Sequence, residues 1–162
     1  MSKTGRTKSQ NRNMIAKAEM LIRRPISEVF EAFINPDVTT KFWFTKSTGP
    51  LEEGKTVDWI WEMYQLTVPV FVKKVVVNEQ ILIEWGTGEH QSTAKWMFKS
   101  LGPSKTFVEI TNYDFLGTAQ EVTNKVIDST GGFTMVVAGL KAWLEHGIEL
   151  NLIGDKFPKE GI

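Results

Sequence analysis

The sequence predicts an α+β fold in which a curved antiparallel sheet of about six to seven strands wraps around one long C-terminal helix. One observation is that residues 129–152 are predicted as one helix, because their apolar residues recur at helical spacing: Phe133, Val136, Val137, Leu140, Leu144 and Ile148. The other is that most of the preceding chain alternates with the two-residue period of strands. A single amphipathic helix needs a sheet to cover its apolar face, which predicts the helix-grip arrangement.

The N-terminal part of this domain predicts one strand followed by two short helices. Residues 14–22 alternate well enough for the strand, and Ser27 is the expected N-cap of the first helix. That helix should stop near Asn35, because Pro36 suits the first position of a second helical turn. In sequence order, these two helices come between the first strand and the remaining strands.

The middle of the chain predicts an antiparallel meander. Expected strand segments are 57–63, 66–77, 81–85, 93–100 and 105–113. Pro69 lacks an N–H group and therefore predicts an edge or a bulge within its segment. Residues 119–127 are expected as a loop or a poorly formed lead-in, with Gly131 and Gly132 forming the turn into the long helix.

Charge and composition predict a single domain with two peripheral segments. Residues 1–13 form a flexible basic arm, 14–152 the helix-grip domain, and 153–162 a C-terminal tail. The first seventeen residues contain basic but no acidic side chains, which leaves the remainder of the 162-residue chain net acidic. An acidic body disfavours a nucleic-acid partner. The apolar runs are too short for a membrane span.

The chain contains no cysteine, which excludes disulfides, thiolate catalysis and zinc–thiolate sites. That absence fits a cytoplasmic location. His90 and His146 have no partner at metal-ligand spacing, and no G-x-S-x-G motif is present. The sequence therefore predicts no metal site, no cofactor and no assignable catalytic residue.

Five segments resemble the activator-of-heat-shock-ATPase homologue family: Arg24–Phe30, Asn35–Asp37, Lys73–Trp85, Thr130–Phe133 and Leu140–Glu145. The resemblance spans roughly residues 14–152. This family is part of the START-related, birch-allergen-like superfamily, which also includes polyketide cyclases. The resemblance implies the helix-grip fold and a space between helix and sheet. It implies no single function, because the fold is shared by sequestration proteins, cyclases and chaperone cofactors.

The strongest candidate site is an aromatic cavity between helix and sheet. Large aromatic side chains suit a flat or apolar ligand, and indole N–H groups can orient it. The alternative is plain core filling, and alternation should direct some of the tryptophans to solvent or to a partner. Candidate cavity residues are Trp43, Trp59, Trp61, Trp85, Trp96, Phe133, Val137 and Leu140.

Two further features carry open alternatives. Asp58 and Glu62 share one strand face opposite Trp59 and Trp61. On a concave face one of these carboxylates could act as a general acid or base, but both are expected to be solvated because carboxylates are rarely buried unpaired. A glycine costs a helix about 1 kcal/mol relative to alanine. Gly139 within the predicted helix therefore indicates close approach of the sheet or a ligand, or else simple tolerance.

The leading hypothesis is a non-enzymatic protein that binds a hydrophobic or aromatic small molecule or a lipid, within a stress or resistance response. One alternative is a cyclase or hydrolase that acts on a polyketide-like substrate in the same cavity. Another is a protein-interaction module in which outward aromatic residues contact a chaperone or form a homodimer.

Overall fold

The computed structural model describes residues 14–159 and contains one curved, seven-stranded antiparallel sheet with strand order β1-β7-β6-β5-β4-β3-β2. The predicted helix-grip fold is confirmed. The predicted basic arm lies outside the described residues. The strands are β1 (Ala16–Ile22), β2 (Lys46–Ser47), β3 (Thr56–Trp61), β4 (Leu66–Val76), β5 (Gln80–Trp85), β6 (Ser92–Gly102) and β7 (Lys105–Tyr113).

Two short helices, α1 (Ile26–Ile34) and α2 (Pro36–Thr39), follow β1 as predicted. Ser27 is not the N-cap of α1, because the helix begins at Ile26 and Pro25 occupies the cap without a side-chain hydrogen bond. The start of α2 agrees with the prediction. Its cap, Asn35, accepts a hydrogen bond from the N–H of Asp37 at 3.0 Å.

The long helix α3 extends over Ala119–His146, so the predicted start at 129 is wrong. A capping box begins it: the Thr118 hydroxyl accepts the N–H of Glu121 at 3.2 Å, and the Glu121 carboxylate accepts the N–H of Thr118 at 2.8 Å. The predicted loop at 119–127 and the predicted turn at residues 131–132 are both helical. The reciprocal cap satisfies the first N–H groups, and the helix then continues through the glycine pair.

Gly147 ends α3 in the left-handed conformation, with φ of 65°. Ile148 therefore lies beyond the helix and is 50% exposed, although its spacing had placed it on the apolar stripe. The chain then forms a short helix α4 (Leu152–Lys156). The Tyr64 hydroxyl donates to the carbonyl oxygen of Phe157 at 2.6 Å, which ties the segment after α4 to the turn between β3 and β4.

The position of Pro69 follows from the length of the neighbouring strands. It pairs with Asp58 of β3, whereas pairing between β4 and β5 begins only at Val70 and Trp85. The proline thus lies where β4 has a single neighbouring strand. The bulge in β4 lies elsewhere, between Val72 and Lys74.

The core fills the concave side of the sheet. Helix α3 packs mainly across β1 and β7, and α1 covers β6 and β7. Among the stripe residues, Phe133, Val137 and Leu140 are buried and Leu144 is partly buried against the core, as predicted. No helix in the described part of the chain is long and apolar enough to cross a membrane.

The C-terminal end of α3 is joined to the end of β1 through Glu145. Its carboxylate accepts the N–H of Arg23 and the Lys141 ammonium, each at 2.7 Å, and its side chain is only 10% exposed. Lys141 also donates to the carbonyl oxygen of Leu21 at 3.1 Å. Burial acts to raise the pKa of Glu145, but the hydrogen bonds from Lys141 and Arg23 outweigh it and hold the pKa below its ordinary value.

This arrangement predicts an acid-sensitive contribution to stability. A carboxyl group with a lowered native pKa stabilises the fold above its unfolded pKa, and the contribution is lost as pH falls through the native pKa. We expect Glu145→Gln to be less stable than the parent near pH 7 and to lose less stability between about pH 6 and about pH 3. Urea unfolding across this pH range measures both effects. Parallel curves for the two proteins would contradict the assignment.

Candidate ligand-binding site

A cavity of about 580 Å³ lies between the middle of α3 and the sheet, near the end of β5, the start of β6 and the end of β7. Two residues of the start of β4 and two of the C-terminal segment complete its walls. Its apolar lining comprises Trp43, Leu66, Val68, Trp85, Phe115, Phe133, Val136, Ile153 and Phe157.

One wall of the cavity is a triangle of aromatic rings contributed by three separate elements. The ring centroid of Trp43 lies 5.9 Å from that of Trp85 and 5.6 Å from that of Phe133. The Trp85 and Phe133 centroids are 5.7 Å apart. Contacts of this kind fix the ring orientations, so the wall is formed before any ligand arrives.

The other predicted site residues lie behind this wall or beside it. Trp59 stacks on Phe44 with centroids 4.8 Å apart and is 1% exposed, and Trp96 is also 1% exposed. Neither lines the cavity, and neither do Val137 and Leu140, which are buried in the core. Trp61 lines an adjoining hollow of about 440 Å³ that shares Trp43, Leu66, Ile153 and Phe157 with the main cavity.

A hydrogen-bonded polar group interrupts the apolar lining. The Trp85 indole N–H donates to the Ser92 hydroxyl oxygen at 3.1 Å, and the Asn112 amide nitrogen donates to the same oxygen at 2.9 Å. The Ser129 hydroxyl of α3 donates to the amide oxygen of Asn112 at 2.8 Å. All four residues line the cavity, so α3 and three strands meet at one polar spot on its wall.

The rim of the cavity is charged. The Lys125 ammonium donates to the carbonyl oxygens of Glu89 and Leu116, at 2.7 and 2.8 Å. Asp128 and the exposed His90 lie on the same rim. The cavity is therefore apolar along most of its wall, polar at one internal spot and charged at its opening.

A family model described as Activator of Hsp90 ATPase homolog 1-like protein matches residues 23–145. The chain belongs to this family. The match covers most of the sheet and α3 up to Glu145. No functionally curated protein matches the chain.

Solved structures show that the fold of this chain is shared by proteins of low sequence identity. SSP2350 from Staphylococcus saprophyticus is 26% identical, with a TM-score of 0.70 over 84% of this chain and 95% of its own. The Aha1 dimer from Colwellia psychrerythraea is 16% identical, with a TM-score of 0.70 over 82% and 97%. DynU16, from the dynemicin biosynthetic locus, is 20% identical, with a TM-score of 0.71 over 83% of this chain and 48% of DynU16.

Of the polar residues that the sequence singled out, His90 lies on the rim of the cavity, whereas Asp58, Glu62 and His146 do not line it. Glu62 is exposed and Asp58 half-buried, while Trp59 and Trp61 face inward, as the solvated interpretation of the carboxylates required. His146 is exposed at the far end of α3. Gly139 is in close contact with Phe42, so the close approach indicated by the glycine is to the chain after α2 and not to the sheet or a ligand.

Sequence reasoning missed Ser92, Asn112 and Ser129. A signal for Asn112 was present, because the alternation of β7 places it on the same inward face as Val108 and Ile110. Within residues 14–159, the hydrogen bonds of Ser92 and Ser129 join them to indole and amide groups and not to an imidazole or a carboxylate. The arrangement therefore holds the Ser92 oxygen in a fixed position on the cavity wall.

Proposed function

We propose that this protein binds one hydrophobic or aromatic small molecule, or a lipid chain, in the cavity between α3 and the sheet, and does so without transforming it. The observation that carries the proposal is the cavity of about 580 Å³ with the aromatic triangle on its wall. Ligand sites of about 300–1,000 Å³ with mainly apolar walls and few polar groups are typical of small-molecule binding.

Support comes from the helix that covers the cavity. Gly132 lines the cavity, and a Cβ atom built on it would meet no other atom within 4 Å. The helix thus exposes bare backbone toward free space at the point where a side chain would fill it. A glycine in a helix interior costs about 1 kcal/mol relative to alanine. A glycine at this position therefore lowers the stability of the helix but leaves room for a ligand in the cavity.

The glycine pair offers a direct test. In Gly132→Phe the ring should occupy the cavity, whereas in Gly131→Phe it should project into solvent, because Gly131 is exposed and also has no atom within 4 Å of its built Cβ. We expect the neutral dye N-phenyl-1-naphthylamine to bind the parent protein saturably with one-to-one stoichiometry. Gly132→Phe should weaken dye binding by at least about tenfold, a loss of about 1.4 kcal/mol.

Dye fluorescence titrations and thermal melts measure the outcome together. Both variants should melt at or above the temperature of the parent protein, because each replaces a helix glycine without a clash. Gly131→Phe should bind the dye like the parent. Unchanged dye affinity in Gly132→Phe, or no saturable binding to the parent, would overturn the proposal.

The cyclase alternative has one point of support, since DynU16 comes from a biosynthetic locus. Turnover of a bound aromatic polyketide that Ser92→Ala abolishes would favour it. Homodimerisation, a chaperone contact, a stress-response role and a cytoplasmic location stay predictions. The dimer formed by the Colwellia psychrerythraea Aha1 supports the first of them, which light scattering of the purified protein checks.

A further inference from the structure

The most informative polar atom in the cavity is the Ser92 hydroxyl oxygen. Ser92 begins β6, is 6% exposed and lines the cavity. A serine hydroxyl has one proton to donate and two lone pairs that accept. If the protein already uses some of these three hydrogen-bonding positions, only the remaining ones are available to a bound molecule.

The orientation of the Asn112 amide determines whether its nitrogen or its oxygen contacts Ser92. One atom of its amide lies 2.7 Å from the backbone carbonyl oxygen of Thr93, which can only accept, so that atom is the amide nitrogen. The opposite atom is the oxygen, and it accepts the Ser129 hydroxyl. The two amide protons of Asn112 are therefore directed to Thr93 and to Ser92.

Both lone pairs of Ser92 are consequently occupied. One accepts the proton of the Trp85 indole, which is only a donor, and the other accepts a proton from Asn112. Its own proton has no hydrogen-bond acceptor among residues 14–159. Because Ser92 lines the cavity, the proton can be donated to a molecule that occupies it.

We infer that the ligand is an apolar ring compound bearing a neutral oxygen that accepts a hydrogen bond from Ser92, as a ketone, quinone or ring ether does. A neutral acceptor matches this donor, because the Ser92 hydroxyl carries no charge and burying a carboxylate against the apolar wall would require a paired charge. The Lys125 ammonium at the rim directs two of its three protons to backbone carbonyl oxygens. Trp43, Trp85 and Phe133 would contact the ring, and Ser92 would orient it.

Ser129 differs from Ser92 in being only a hydrogen-bond acceptor toward the cavity, and it therefore provides a matched control. Its single proton goes to Asn112, so toward the cavity it can only accept. A ketone has no proton to donate and gains nothing from Ser129. Ser92→Ala and Ser129→Ala both remove a cavity hydroxyl, but only the first removes a donor for the ketone.

The inference rests on the proposed function, and the test separates the two. Calorimetric titration with 1-tetralone and with tetralin compares a ketone with the hydrocarbon of the same ring skeleton. We expect Ser92→Ala to lower the preference for 1-tetralone over tetralin by about three- to tenfold, which corresponds to one neutral hydrogen bond. Ser129→Ala and Ser92→Thr, which keeps the hydroxyl, should retain the preference of the parent protein.

A measurement on the parent protein makes the test independent of how well the variants fold. Infrared difference spectra should show the carbonyl stretch of bound 1-tetralone at lower frequency than in hexane, because a hydrogen bond weakens the C=O bond. Binding of both probes with no such shift and no effect of Ser92→Ala would overturn the inference and leave the binding function standing. Failure of both probes and of the naphthylamine dye to bind would overturn both.

Discussion

Replacing Leu140 with aspartate should unfold the domain or leave it only marginally folded. Leu140 is 0% exposed, on the face of α3 that packs against the sheet. Truncation of a buried leucine costs about 2–5 kcal/mol, and a carboxylate at the same place adds the cost of burying an unpaired charge. The sum reaches the total stability of an ordinary domain, about 5–15 kcal/mol. Circular dichroism and thermal melting measure the loss.

Ile127 provides the matched control on the same helix, because it is also a branched apolar residue but is 64% exposed. Ile127→Asp removes little buried surface and places its charge in water. We expect it to change stability by less than about 1 kcal/mol. A cooperative melt of Leu140→Asp near the temperature of Ile127→Asp would show that the face of α3 has been assigned wrongly.

Gly139→Leu should also destabilise the protein strongly, for a steric reason. A Cβ atom at this position would lie 3.0 Å from the Cβ of Phe42 and 3.3 Å from its carbonyl oxygen. The neighbour is partly backbone and cannot rotate away. Overpacking of this kind costs about 1–3 kcal/mol and outweighs the gain of less than about 1 kcal/mol from replacing a helix glycine.

The same substitution at Gly131 should have the opposite sign, because no atom lies within 4 Å of its built Cβ. We expect Gly131→Leu to raise the stability by up to about 1 kcal/mol. Chemical unfolding measures the free energy of unfolding of both variants. Because the gain in helix propensity is nearly equal in the two, the difference between their free energies of unfolding reports the contact with Phe42. Equal stabilities would show that Phe42 moves aside without cost.

The sequence predicted the elements of this fold better than their ends. The alternation of β3 and β7 and the apolar stripe of α3 are long patterns, and each specifies a buried face. The start of α3 was misplaced because the glycine pair at residues 131–132 was interpreted as a turn and the Thr118–Glu121 capping pattern was not recognised. Two glycines cost a long helix little compared with what its packing contributes, so the cap determined where it begins.

The candidate site was predicted only in part, for a geometric reason. The two-residue period shows which side of the sheet a residue faces but not which of the inward residues border the cavity. Trp59, Trp85 and Trp96 all point inward, yet only Trp85 of these three lines the cavity. The roles of Ser92 and Asn112 could not be predicted from either residue alone, because their hydrogen bond joins residues on different strands.

The aromatic wall also allows the intrinsic tryptophan fluorescence of the protein to report ligand binding. The Trp43 ring centroid lies within 6.3 Å of those of four other tryptophans: Trp59, Trp61, Trp85 and Trp96. At such separations excitation migrates among the indoles faster than any of them emits. A ligand that quenches Trp43 or Trp85 should therefore lower the emission of all five of these tryptophans together.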